Sequence, residues 1–209
     1  MASLAPSVGK APGKKKSQTA KPSHEVTARK RIFGEIKVRT PSQSKRMLQE
    51  DARFTDITYV RSRGVPEFVS RVAAATPMEM VSAERVGVNS LFLKDVSKHM
   101  SVPASRIFDI VGVPKATAEK KAATQAAIAG AGGQAALGLA RLLAIANDIV
   151  ANSTSPDAEG FDAGKWLGQW IERPQPALGG KKPADLIGTP TGLSMVARVL
   201  GAIESGAYL

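Results

Sequence analysis

From residue 66 onward, apolar residues recur every three or four positions, and this spacing predicts a protein built of helices. Residues 66–75, 77–86 and 90–100 each carry the pattern, and Ser101-Val102-Pro103 interrupts the third. Two shorter helices are expected at 105–111 and 114–125, joined at Gly112-Val113. Gly130-Ala131-Gly132-Gly133 reads as an interhelical loop, residues 134–150 as a long apolar helix, and Asn152-Ser153-Thr154-Ser155-Pro156 as a linker. Beyond it, Asp162 stands where a cap belongs, before a helix whose Trp166, Leu167, Trp170 and Ile171 form one stripe. Pro174 and Pro176 end that helix, because proline lacks the amide donor and keeps its predecessor out of the α conformation. Gly179-Gly180 permits a positive-φ turn, and Pro183 opens a short helix ending near Ile187. Thr189-Pro190 starts a last helix, with Leu193, Val196, Val199, Leu200 and Ile203 on one face, closed at Gly206. The fold class is all-α.

The first 63 residues read differently. Residues 1–30 are rich in Ala, Pro, Ser, Gly and Lys, with basic runs at Lys14-Lys15-Lys16 and Arg29-Lys30-Arg31. Such a composition buries too little to offset the entropy of ordering, so disorder is expected. Two β-prone pieces follow, at 32–38 and 57–60, consistent with a hairpin, a segment ordered by a partner, or loose structure. The charge is concentrated here as well. Up to Arg63 there are 15 Lys+Arg against 5 Asp+Glu, and from Gly64 onward 14 against 13. The net +11 therefore describes an extension, and the body is nearly neutral. The extension is either a solubilising tail or a nonspecific attractor of nucleic acid. The expected organisation is a basic extension at 1–63, a helical domain at 64–151 and a small C-terminal domain at 157–209.

Several kinds of chemistry are excluded. Cysteine is absent, which removes disulfides, zinc–thiolate sites and thiol nucleophiles. His24 and His99 are isolated and suggest no metal site, and no serine has a base in any motif. The glycines at 130–133 follow a helix rather than a strand, unlike a dinucleotide-binding loop. No cofactor, metal or catalytic group is expected. No uninterrupted apolar run reaches the ~18 residues of a membrane span, and the N-terminus has no signal-like apolar stretch. No membrane association is expected, and the expected location is cytoplasmic.

The helices at 105–111 and 114–125 have the size of a helix-turn-helix. The second would present Lys115, Thr117, Lys120, Lys121, Thr124 and Gln125, donors suited to phosphates and base edges. Two features argue for a purely structural pair. Phe108 occupies a position where a small residue is usual, and Arg and Asn are missing from the second helix.

The C-terminal segment carries a family signature. Trp166-Leu167, Pro174, Pro176-Ala177-Leu178-Gly179-Gly180, Pro183 with Leu186, Thr189, Gly192, Leu200 and Ile203-Glu204-Ser205-Gly206 resemble the toxin-binding domain of Xre/MbcA/ParS antitoxins. Gln175 stands where Asn is common in that family, and Trp170 is an additional tryptophan; both departures are expected at the toxin-facing surface. The resemblance implies an Xre-like helix-turn-helix domain and a RES-domain toxin as partner. The toxin's use of NAD, by glycohydrolysis or ADP-ribosyl transfer, would be silenced. It also implies a homodimer and repression of the protein's own operon through operator DNA. The candidate toxin-binding residues are Trp166, Trp170, Leu178, Gly179, Gly180, Lys181, Tyr208 and Leu209. Trp166 reads as core, and Trp170 equally as core or as an exposed contact residue. Tyr208 and Leu209, with the terminal carboxylate, follow a rigid helix closely enough to block the toxin's NAD cleft, or else they cap the core. The alternative function is a DNA-binding transcription regulator whose C-terminal domain only dimerises.

Overall fold

A computed structural model describes residues 57–204. The expectations for residues 1–56 and for Tyr208 and Leu209 lie outside the described residues. Residues 57–60 enter the body in extended form, with Ile57 and Tyr59 buried and Thr58 and Val60 exposed. This alternation belongs to a chain lying on a core, so the folded body starts ahead of the boundary expected at residue 63. The Tyr59 ring packs edge-on against Phe68 and Phe92, at centroid separations of 5.5 and 5.3 Å. Its hydroxyl donates to Asp95 Oδ2 at 2.8 Å. Burial, and then that bond, hold the phenol well above its usual pKa range.

Helix α1 (Gly64–Ala74) buries Val65, Phe68, Val69 and Val72 along one stripe. Helix α2 (Pro77–Val86) begins with a capping box: Thr76 Oγ1 accepts from the Glu79 amide, and Glu79 Oε2 accepts from the Thr76 amide. It buries only Ala83. Helices α3 (Leu91–His99), α4 (Ala104–Ile110) and α5 (Lys115–Ala123) follow the expected spacing. Two short strands were not anticipated: β1 (Val88–Asn89) pairs antiparallel with β2 (Ala127–Ile128), in the register Val88↔Ile128. Two residues are too few to carry a period of two, so this ladder left no mark in the pattern.

The loop expected at 130–133 is instead the first turn of α6 (Gly130–Ala151), 22 residues long. Gly130 takes a left-handed φ of 67°, while Gly132 and Gly133 serve close approach. A Cβ on Gly133 would lie 2.3 Å from the Ile128 carbonyl oxygen, and one on Gly132 would lie 2.5 Å from Val113 Cγ2. By length and composition α6 could also cross a membrane, contrary to the expectation that no such segment exists. Its apolarity has another use here. Eleven of its residues are buried, and it packs against α1, α2, α7 (Ala163–Trp170) and α8 (Pro190–Glu204). Its broad buried face is the surface on which the other helices are assembled.

Because α6 is shared, the division expected at 152–156 does not separate two cores. Leu167, Ile171, Val196 and Leu200 belong to the same buried cluster as Phe68, Leu93 and Ile107. All described residues fall in one compact unit, Pro41–Leu209.

Candidate functional site

Asp162 Oδ1 accepts from the Lys165 amide at 2.9 Å and starts α7. That bond holds the Asp162 carboxyl below its usual range. Phe161, one residue before the cap, stands 6.3 Å from Trp166 between ring centroids. Trp166 is the fourth helical residue, so the two form a hydrophobic staple. Trp166 in turn stacks on Trp170, with centroids 6.2 Å apart and planes 24° apart. On the other face of the helix, Gly168 meets the turn after α3. A Cβ there would sit 2.2 Å from the Met100 carbonyl oxygen, so this crossing requires glycine.

Trp166 departs from the core position expected for it, and of the two readings for Trp170 the core one holds. Trp170 is 7% exposed and belongs to the core, while Trp166 is only partly buried. The chain that follows is bonded back onto the end of α7. Gln175, itself buried, donates through Nε2 to the carbonyls of Trp170 at 3.3 Å and Arg173 at 3.1 Å. The Gln175 amide also donates to the Lys181 carbonyl at 3.0 Å, closing the loop between them. Gln175 therefore holds this loop from inside. It and Trp170 do not lie on the partner-facing surface expected for them.

Leu178 is buried as the loop's anchor, while Gly179, Gly180 and Lys181 are exposed at its tip. Gly179 and Gly180 have φ of 64° and 75°, a conformation that favours glycine. The segment is tied to the body by charge as well. Arg106 of α4 donates through Nε to Glu172 Oε1 at 2.6 Å and through Nη2 to Oε2 at 3.2 Å. Asp185 accepts from Arg106 Nη2 at 3.5 Å, and Lys182 Nζ lies 3.6 Å from Glu172. The hydrogen bonds from Arg106, against desolvation that works the other way, lower the Glu172 pKa.

Beside Trp166 opens an apolar groove of about 260 Å³, lined by Ile149, Val150, Ala158, Phe161 and Trp166 with Ser153 and Ser155. Phe161 is 45% exposed, one of few large apolar side chains at the surface. Residues 178–181 do not line this groove, so the candidate residues split into a groove wall and a separate loop tip. The sequence reading missed Phe161 as a site residue. Its signal was available: an aromatic immediately before a capping Asp, five places ahead of a tryptophan that completes the staple.

The helix-turn-helix candidate is α4 and α5, with Gly112 at φ 67° in the turn. Phe108 is accommodated as a buried core residue. Lys115, Thr117 and Lys120 are exposed on α5, as are Thr124 and Gln125 at its end. Lys121 is half-buried, and its Nζ donates to the Ala127 carbonyl at 2.7 Å. Thr124 Oγ1 lies 3.3 Å from the Lys121 carbonyl. Among the described residues no His, Asp or Glu cluster suits a metal ion.

Fold and site together describe a helical protein with a helix-turn-helix-like pair and an apolar groove lined by Phe161 and Trp166. Residues 159–206 match the family described as the antitoxin Xre/MbcA/ParS C-terminal toxin-binding domain. A relative from Sphingobium sp. (strain YBL2), described as a Prs ADP-ribosylating antitoxin, is 35% identical over 149 residues. That match covers 71% of this chain and 92% of the relative. The chain belongs to the Xre/MbcA/ParS antitoxin family: it is a toxin-binding antitoxin and not an enzyme.

Proposed function

We propose that this antitoxin neutralises a RES-domain toxin that transfers ADP-ribose from NAD, and that it docks the toxin along the Phe161–Trp166 groove. The carrying observation is a coincidence of position. Phe161 and Trp166 fall within the segment that matches the toxin-binding domain, and they line an apolar groove. An aromatic anchor at a concave apolar site is the kind of feature that dominates binding energy. The description of the Sphingobium relative supports ADP-ribosyl transfer as the toxin's chemistry. The exposed loop at Gly179, Gly180 and Lys181 is proposed as a second contact, and the chain end at Tyr208 and Leu209 as the part that occludes the NAD cleft.

The test uses the full chain, because α7 and α8 share their core with α6. The cognate toxin is co-expressed with wild type, Phe161→Ala, Trp166→Ala and a form truncated after Gly206. Each groove substitution is expected to cost about 2 kcal/mol of toxin binding or more. Truncation is expected to release NAD consumption while leaving capture nearly intact. Undiminished capture by both groove variants rules out the groove, and full inhibition by the truncated form rules out occlusion by the chain end. Repression of the operon through Lys115, Thr117 and Lys120 of α5 is the accompanying proposal, supported by their exposure.

A further inference from the structure

The Phe161–Trp166 groove is framed by acids. Its lining residues fall within 149–166, and the stretch 142–164 contains Asp148, Asp157, Glu159 and Asp162 but no Lys or Arg. The chain as a whole carries a net +11, so this stretch is an exception within it. Two cations flank the stretch. Lys165 Nζ lies 3.2 Å from Asp162 Oδ2, and Asp162 also caps α7, so these two charges are engaged with each other. Arg141, two helical turns ahead of Asp148, lines a separate groove beside α2 that Asp148 also borders. Asp148 and Glu159 are both exposed, and neither has an ion-pair partner among the described residues. Each adjoins a lining residue, Asp148 beside Ile149 and Glu159 beside Ala158.

Asp148 is badly placed for its own helix. It stands in the last turn of α6, where the helix dipole already concentrates negative charge and a cation would be the stabilising choice. Local preferences are broken in this way mainly at functional positions. An apolar floor with an anionic edge also selects what can cover it. An acidic segment is repelled. A wholly apolar one strips water from the carboxylates and gives them no partner in return. An apolar side chain projecting between Lys or Arg residues satisfies the floor and the edge together.

We propose that the groove receives from the toxin an apolar side chain flanked by Lys or Arg, and that Asp148 and Glu159 steer this encounter. The proposal rests on the reading that the groove docks the toxin, and it adds the chemistry of the element that enters. The two parts of the site then act on different rates. Phe161 and Trp166 set how long the complex lasts, and the carboxylates at the edge set how fast it forms.

The test measures association and dissociation rates of the full chain with its cognate toxin at several salt concentrations. The range runs from about 10 mM, where charges act over roughly 30 Å, to about 150 mM, where they act over roughly 8 Å. The wild-type association rate is expected to fall about tenfold across that range. The double variant Asp148→Asn with Glu159→Gln is expected to associate roughly tenfold more slowly at low salt and to lose most of the salt dependence, with its dissociation rate nearly unchanged. Phe161→Ala is expected to do the opposite, raising the dissociation rate and keeping the salt dependence. Asp109→Asn, which removes an exposed acid of α4 away from the groove, is expected to behave as wild type. Thermal unfolding of the double variant is expected to match wild type or exceed it, since an acid leaves the last turn of α6, and this excludes misfolding as the cause. A wild-type rate that is flat or rises with salt overturns the proposal. So does a double variant with the wild-type salt dependence, or an Asp109→Asn variant that loses as much of it. An association rate that rises on removal of residues 1–56 in the wild type, but not in the double variant, would give the acidic edge to the chain's own extension and overturn it too. Undiminished capture by Phe161→Ala and Trp166→Ala would instead overturn the docking reading itself. Weakened capture by those two beside an unaltered double variant leaves the docking standing and removes only the charge complementarity.

Discussion

Helix α5 and the Phe161–Trp166 groove are both surfaces where a partner is expected, and they are built in opposite ways. Helix α5 presents polar groups on a convex surface, and some of those groups are already engaged: Lys121 holds the Ala127 carbonyl and Thr124 bonds the backbone within its own turn. The groove is concave and apolar, and Phe161 stays 45% exposed at its rim. Exposed lysines are the ordinary state of a helix surface and indicate little alone. An exposed aromatic beside an apolar groove leaves surface in water that a partner would cover. The groove is therefore the stronger evidence for a binding site, although the helix-turn-helix spacing is the easier motif to notice. The Arg106–Glu172 pair links α4, the helix before α5, to the chain just after α7.

The sharpest way to break this comparison is through the two tryptophans. Trp170→Ala removes a buried ring from the core and is expected to destabilise the fold by about 3–5 kcal/mol. Trp166→Ala removes a partly exposed ring and is expected to cost well under half of that, while losing more toxin affinity per unit of stability. Chemical denaturation of the full-length variants, paired with toxin capture, gives both quantities. If the two stability losses are equal, the assignment of Trp170 to the core and Trp166 to the groove is wrong.

The two tryptophans also show where the sequence stops being legible. Helical spacing puts Trp166 and Trp170 on one stripe, one turn apart, and says nothing about which end the following chain covers. Nor does it announce Gln175, whose buried side chain turns inward to the Trp170 and Arg173 carbonyls. Residues 130–133 failed for a related reason. Glycine normally marks a loop because of its backbone freedom. At Gly132 and Gly133 what matters is the missing Cβ, which lets α6 start against Ile128 and Val113. By contrast, α2 was readable to the residue, since Thr76, Pro77 and Glu79 encode its start locally. The family signature worked as well, because its prolines, glycines and Thr189 define turns and caps rather than long-range packing. Thr189 Oγ1 accepts from the Gly192 amide at 3.1 Å, as the Thr-Pro pattern predicts.

A middle-sized effect tests the link between α4 and the chain after α7. Arg106 and Glu172 are each about one-third exposed, so solvent screening limits their pair to about 1 kcal/mol. The folded Glu172 pKa lies below its unfolded value, so its contribution is fully present above the unfolded value of about 4.3. It is lost as pH falls through the depressed folded value, because the unfolded chain takes up the proton first. Glu172→Gln is accordingly expected to lower stability at neutral pH by about that 1 kcal/mol and to flatten the acid side of the stability profile. Thermal unfolding from pH 3 to pH 7 measures both. Parallel profiles for wild type and variant would mean that the pair contributes nothing net.

The smallest effects lie on α5, and they separate its structural lysine from its free ones. Lys121 and Lys120 are neighbours of the same charge in the same last turn, where a cation favours the helix dipole to a similar degree. They differ in that only Lys121 reaches β2, through the 2.7 Å bond to the Ala127 carbonyl, which helps to hold the end of α5 against the β1–β2 ladder. Lys121→Ala is expected to cost about 1 kcal/mol, the net value of a typical hydrogen bond. Lys120→Ala is expected to stay within about 0.5 kcal/mol, as surface substitutions usually do. On DNA the order reverses if α5 is a reading helix. Lys120→Ala removes a free phosphate donor and is expected to reduce the salt slope of binding by about one counterion. Lys121→Ala removes a half-buried cation held toward Ala127 and is expected to reduce that slope less than Lys120→Ala does. Titrations of the full chain with duplex DNA at several salt concentrations measure the two slopes. Equal slopes for wild type and both variants would leave α5 with a structural role alone, and would assign any DNA affinity to the basic residues of 1–63.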